Sequence, residues 1–170
     1  MSVWMNPRIK RLPEDFEASF LKAMPRATES ADTIFREHEI QQFDTEGESG
    51  GKAWEKLKPN YAKIKAKKRP GRKILVWDGP LRNSLARRGP EHIAHWFRDQ
   101  AAKFVISLGS KNRIGVYHEE GGTHLPRRSM LQMTTAQKSR LLGVIQKVLA
   151  PFAARAIRDA VVLESSRRAR

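Results

Sequence analysis

Apolar residues recur at Phe16, Phe20, Met24, Ala27, Ala31, Ile34 and Phe35, with His38 continuing the series. Steps of three and four mark one face of an amphipathic helix. Pro25 falls inside the pattern. A proline ring crowds the preceding turn and lacks an N–H, so the spacing predicts two helical pieces, 14–24 and 26–43, with a kink between Ala23 and Arg26. The stretch after Phe43, DTEGESGGK, is glycine-rich and polar. It offers nothing to bury and reads as a flexible hinge.

Beyond it, Trp54, Leu57, Tyr61 and Ile64 are set among lysines, a spacing that allows short helical turns around Pro59. The run Lys67 to Arg72, with Pro70 and Gly71, reads as a solvated loop. Ile74, Leu75, Val76 and Trp77 form a short branched and aromatic run of the kind that makes a buried strand. Pro80 then suits the first position of a helix reaching about Arg87, with Leu81 and Leu85 one turn apart. His92–Phe97 and Lys103–Leu108 are strand-like, and RDQAA between them has hairpin length. Ile114–Glu120 is open between strand and short helix, and Arg128–Met133 suits a further strand. Thr134 or Thr135 is placed to cap a helix carrying Leu141, Leu142, Ile145, Val148 and Leu149, with a kink expected at Pro151 before Phe152, Ile157, Val161 and Val162 continue the face.

These elements predict an α+β fold in one domain, residues 1–170. A small antiparallel sheet of three or four strands, about 73–77, 92–97, 103–109 and 128–133, is flanked by an N-terminal helical region (14–44, kinked at Pro25) and a C-terminal helix (134–163). Residues 45–73 form a flexible basic loop, 74–133 the sheet region and 164–170 a frayed basic tail. Trp77, Leu81, Leu85, Phe104, Ile106 and Leu142 are the expected core.

Composition narrows the chemistry. The 170 residues include no cysteine, which excludes disulfides, thiol nucleophiles and cysteine-held metal clusters and is compatible with a reducing compartment. No apolar run has the length of a signal-peptide core or a membrane span, so a cytoplasmic site of synthesis is expected. The net charge is +15, unevenly spread: residues 1–51 hold 6 basic against 10 acidic side chains, and residues 52–90 hold 13 against 2. Such a field attracts phosphate backbones or an acidic protein surface.

The sequence offers little for catalysis. A phosphate-binding loop ending at Gly51-Lys52 needs glycine where Glu46 stands and Ser or Thr where Ala53 stands. His118, Glu119, Glu120 and His124 cluster within seven positions but match neither zinc-protease spacing, and read as a surface turn. Ser84, Ser107 and Ser129 lack a nucleophile elbow. No catalytic, cofactor or metal residue is assigned, and the chain is not expected to be an enzyme. The remaining candidates are Lys56, Lys58, Lys63, Lys65, Lys67, Lys68, Arg69, Arg72 and Lys73, which with Trp54 and Tyr61 could meet DNA or a neighbouring subunit.

The order of motifs adds a resemblance. Trp54, Leu57 and Pro59, then Ile74, Leu75, Gly79, Leu81 and Ser84, then a hairpin, then Tyr117, His118, Gly121, Pro126, Arg128, Met130 and Leu131 ahead of a C-terminal helix resemble the phage virion morphogenesis family. These are the tail completion proteins of Mu-like and related tailed phages, and the likeness spans about residues 14–150. It implies a structural α+β subunit without catalytic residues or cofactors. It further implies a homo-oligomeric ring, expected to be a hexamer, at the neck of the virion, meeting the tail terminator or tail tube and the head connector, with genomic DNA in the channel, no membrane partner, and assembly in the host cytoplasm. In such a ring an acidic N-terminal surface could meet a neighbour's basic segment. The alternative from another class is a stand-alone basic nucleic-acid-binding protein.

Overall fold

The computed structural model describes residues 2–4, 14–98 and 104–168. In chain order they form β1 (Ser2–Trp4), α1 (Glu14–Asp44), a 3-10 turn (Glu48–Gly50), α2 (Pro59–Lys68), α3 (Pro80–Ala86), β2 (His92–Arg98), β3 (Phe104–Ser110), α4 (Arg113–Glu120) and α5 (Thr135–Arg168). The class is α+β, as the sequence predicts. The strand set differs: β2 and β3 pair antiparallel as expected, and β1 adds to the other side of β3, giving the order β1-β3-β2. The hairpin connection at 99–102 and the side chains of Phe16, Ile157, Val161 and Val162 lie outside the described residues.

Helix α1 runs unbroken through Pro25, correcting the expected split. The missing donor leaves one carbonyl in the preceding turn without its helical partner, but Ala23, Met24, Ala27 and Ala31 are all buried around it. That continuous apolar stripe holds both halves on the same surface, and Thr28 Oγ1 donates to the Met24 carbonyl at 2.8 Å on the same turn. Helix α5 likewise continues through Pro151. It also absorbs residues 164–168 of the expected tail. Leu141, Ile145 and Leu149, one turn apart, are its buried face. Thr134 caps it: its hydroxyl accepts from the Gln137 N–H while the Gln137 side chain accepts from the Thr134 N–H at 2.8 Å.

Two expected strands are irregular. Ile74 and Val76 are buried as a strand would bury them, but Leu75 has φ 62° and the Val76 N–H turns back to the Lys73 carbonyl. The Ile74 N–H goes to the Glu46 carboxylate at 2.7 Å. In 128–133, the Arg128 N–H goes to the His118 carbonyl of α4 and the N–H groups of Met130 and Leu131 go to the Glu119 carboxylate, in place of a ladder. Both segments are buried as strands would be, but the Glu46 and Glu119 carboxylates take backbone N–H groups that a ladder would use. Ile114–Glu120 resolves as helix, capped by Asn112, whose side chain accepts from the Ile114 N–H.

The core is built from α1, α3, β3 and α5 around Met24, Phe35, Phe43, Leu81, Leu85, Ile106, Met130 and Ile145. Leu81, Leu85 and Ile106 are buried as expected. Phe104 is half-buried against Phe20, with ring centroids 4.8 Å apart. Trp77 and Leu142 are only half-buried, with Leu141 taking the interior place beside Leu142.

The segment 45–73 is more structured than a loop. Gly47 turns the chain at φ 97°, and a Cβ there would meet the Trp54 ring at 2.6 Å. A Cβ on Gly50 would meet Gln42 at 2.4 Å and the Gln132 carbonyl at 2.5 Å. These glycines serve close packing rather than a hinge.

Candidate functional site

Two places in the fold gather chemistry: a polar junction in the interior and a basic surface on α2. The junction forms where the chain after α1 crosses the chain after α4. Trp54 Nε1 donates to the Ser129 carbonyl at 2.8 Å, and Arg128 Nε donates to the Glu55 carbonyl at 2.9 Å. The Glu119 carboxylate accepts from the N–H groups of Met130 and Leu131 and from the Ser129 hydroxyl. Gly115 of α4 sits against Leu81 and Met130, where a Cβ would lie 3.3 and 3.4 Å from their side chains. A groove of about 690 Å³ runs along the crossing, with Lys52, Arg127 and Lys138 among its lining residues.

Beneath it lie His38 and Glu39 of α1, both buried. Among the described residues neither Glu39 oxygen has a hydrogen-bond partner, nor does His38 Nδ1. Burial first, and the Glu119 charge second, push the Glu39 carboxyl well above the usual range. Burial pulls the His38 imidazole below its ordinary value, only partly offset by its bond to the Gln132 carbonyl at 3.0 Å. Both groups are driven neutral, so the 3.8 Å approach of His38 Nε2 to Glu39 is not an ion pair.

A second buried node fixes α1 to the sheet. Asp32, fully buried, accepts from His92 Nε2 at 2.6 Å and from Arg36 and Arg88, each at 3.1 Å. His92 Nδ1 lies 3.1 Å from the Ser84 carbonyl, so the ring bridges α3 and Asp32. Burial raises the Asp32 pKa, but the hydrogen bonds of His92 and Arg88, with the charges of His92 and Arg36, outweigh it and hold the carboxyl below its ordinary value.

The residues singled out from sequence separate accordingly. In the group His118, Glu119, Glu120 and His124, Glu119 turns inward while Glu120 and His124 are exposed. Among the described residues no three His, Cys, Asp or Glu side chains are gathered to hold a metal. The Ser84 hydroxyl donates to the Leu81 carbonyl and accepts from Ser110, Ser107 lies in β3 opposite His95, and the Ser129 hydroxyl serves Glu119.

Of the nine basic candidates, Lys65 is buried, its Nζ donating to the Lys73 carbonyl at 2.6 Å, and it docks α2 onto the chain behind it. Arg69 is paired with Asp78 at 2.6 Å and lies over the Trp77 ring. Lys56, Lys58, Lys63, Lys67, Lys68, Arg72 and Lys73 are exposed, and among the described residues none of them forms an ion pair. The Asp32 node and the Glu39 junction went unseen in sequence. Asp32 falls just outside the apolar series, and the one available signal was the presence of acids between helix positions that repeat every three or four residues.

Comparison of the chain with protein-family models, curated proteins and solved structures finds no match.

Proposed function

We propose that this chain is a structural tail completion subunit of a tailed bacteriophage, forming a closed ring at the neck that joins tail to head. The observation that carries the reading is the convergence of its motifs. The Trp54 element, the Leu81 element and the Tyr117-to-Leu131 element occur in the family's order, and in the fold they form one junction through Trp54 to Ser129, Arg128 to Glu55, and Gly115 against Leu81 and Met130. The motif residues act as a scaffold, which suits a structural protein.

A ring needs two complementary surfaces on each subunit. Helix α4 buries only Gly115 and leaves Ile114, Val116 and Tyr117 exposed, the last at 59%. The outer edge of β2 has no strand beside it among the described residues. Unpaired edges and exposed apolar side chains are the ordinary material of subunit contacts. Five described acids of α1 contribute little to such contacts, because Glu29, Asp32, Glu37 and Asp44 are paired inside the chain with Arg88, Arg36, Arg140 and Arg82, and Glu17 with Arg98.

Deleting the gene from the phage that carries it tests the reading. Filled heads and separate tails are expected, and joined infectious particles in normal yield would overturn it.

A further inference from the structure

The exposed cations of α2 and its flanks have a chemistry that the scaffold junction and the apolar contacts of α4 do not use. Helix α2 has two faces. Lys65 points inward to the Lys73 carbonyl, and Lys63 and Lys67, one turn apart and both exposed, stand on the other side. Lys56 and Lys58 lead into the helix, and Lys68, Arg72 and Lys73 continue past its end.

The acids of α1 do not answer this surface: Glu17, Glu29, Glu37 and Asp44, its described acids outside the core, are already paired with internal arginines, leaving Glu48, Glu55, Glu91 and Glu120 as exposed carboxylates without an ion pair among the described residues. Base stacking is not its principal mode either. One face of Trp77 is covered by Tyr61, with centroids 6.2 Å apart, and Arg69 lies over the ring at 5.7 Å, leaving Tyr61 alone, 47% exposed, at the end of the stack.

We infer that the exposed cations of α2 and its flanks, centred on Lys63 and Lys67 and including Lys58 and Lys68, bind the phosphate backbone of duplex DNA without regard to sequence. A helix of this length spans about 15 Å, along which a duplex presents about nine phosphate charges. Lysine suits the task as a mobile point charge. The inference stands apart from the neck assignment, since a basic DNA-binding protein of any origin would use the same face.

The test is fluorescence anisotropy of a labelled random-sequence duplex titrated with the full chain between 50 and 200 mM salt. Contact with about four phosphates predicts a slope of log K against log salt near −3.6, a loss of roughly a hundredfold across that range. Lys63→Glu with Lys67→Glu is expected to weaken binding at least tenfold at 50 mM salt. Lys111→Glu with Lys147→Glu, an equal change in net charge at exposed positions elsewhere, is expected to change it less than threefold, and Tyr61→Ala less than twofold. Circular dichroism confirms that each variant is folded. Absence of binding at 50 mM salt, or equal weakening by the two double variants, would overturn the inference, as would binding only to single strands that Tyr61→Ala abolishes. None of these outcomes bears on whether heads and tails join.

Discussion

Trp54 and Ser129, 75 positions apart in sequence, are joined by an indole N–H donated to a carbonyl at 2.8 Å. The Trp54 ring also stands edge-on to Phe43, with centroids 5.4 Å apart. One residue thereby ties the end of α1 to the chain entering α5. Replacing Trp54 by Phe keeps an aromatic ring at Phe43 but leaves the Ser129 carbonyl without its donor. A loss of about 1–3 kcal/mol is expected, seen as a lower urea midpoint with an unchanged slope.

Glu39 makes stability depend on pH in an unusual direction. Burial raises its folded-state pKa well above the ordinary carboxyl value of 4.5, so the folded chain holds a proton that the unfolded chain releases. The contribution is fully present below about pH 4.5 and is lost as the pH rises toward and through the folded value. Glu39→Met, apolar and of similar size, is expected to raise stability at neutral pH by about 1–3 kcal/mol. It should also flatten the fall in stability above pH 4.5, measured by urea unfolding across the range.

Asp32 acts with the opposite sign. Its folded-state pKa lies below 3.8, so its contribution is present above that value and lost as the pH falls through the lower folded one. Asp32→Asn keeps the shape but removes the charge facing His92, Arg36 and Arg88. A cost of about 3–5 kcal/mol at pH 7 is expected, with a shallower loss than the parent chain shows below pH 3.8.

Lys65 separates structural lysines from surface ones. Burial, its first cause, lowers its pKa, with the Glu46 charge acting the other way. Lys65→Ala removes a charged bond to the Lys73 carbonyl and should cost about 1.5–3 kcal/mol. Lys63→Ala and Lys67→Ala, at exposed positions, should stay within about 0.5 kcal/mol of the parent in the same urea titration.

Helix periodicity made α1, α3 and α5 readable, because burial on one side of a helix leaves steps of three and four in the sequence. The hairpin was readable from two strand-like runs joined by a connection of hairpin length. Pro25 misled because proline's local cost is outweighed by a continuous buried stripe, Ala23, Met24, Ala27 and Ala31, on both sides of it, and α5 likewise continues through Pro151. Ile74–Trp77 and Arg128–Met133 misled because apolar runs report burial without saying what the backbone bonds to, and here Glu46 and Glu119 supply the acceptors. Lys65 could not be told from Lys63 and Lys67 without knowing which side of α2 faces Lys73. Of the candidate site, the lysine run was legible as composition, whereas the pairing of α1's acids with arginines up to 103 positions away was not.

We propose this chain as a ring-forming neck subunit. Electron cryomicroscopy of the neck in purified particles of the phage that carries the gene tests it most directly. The account predicts a closed ring between head and tail whose repeating unit shows the β2–β3 hairpin beside the packed pair of α1 and α5. Neck density fully accounted for by other chains, with this one absent from the particle, would contradict it.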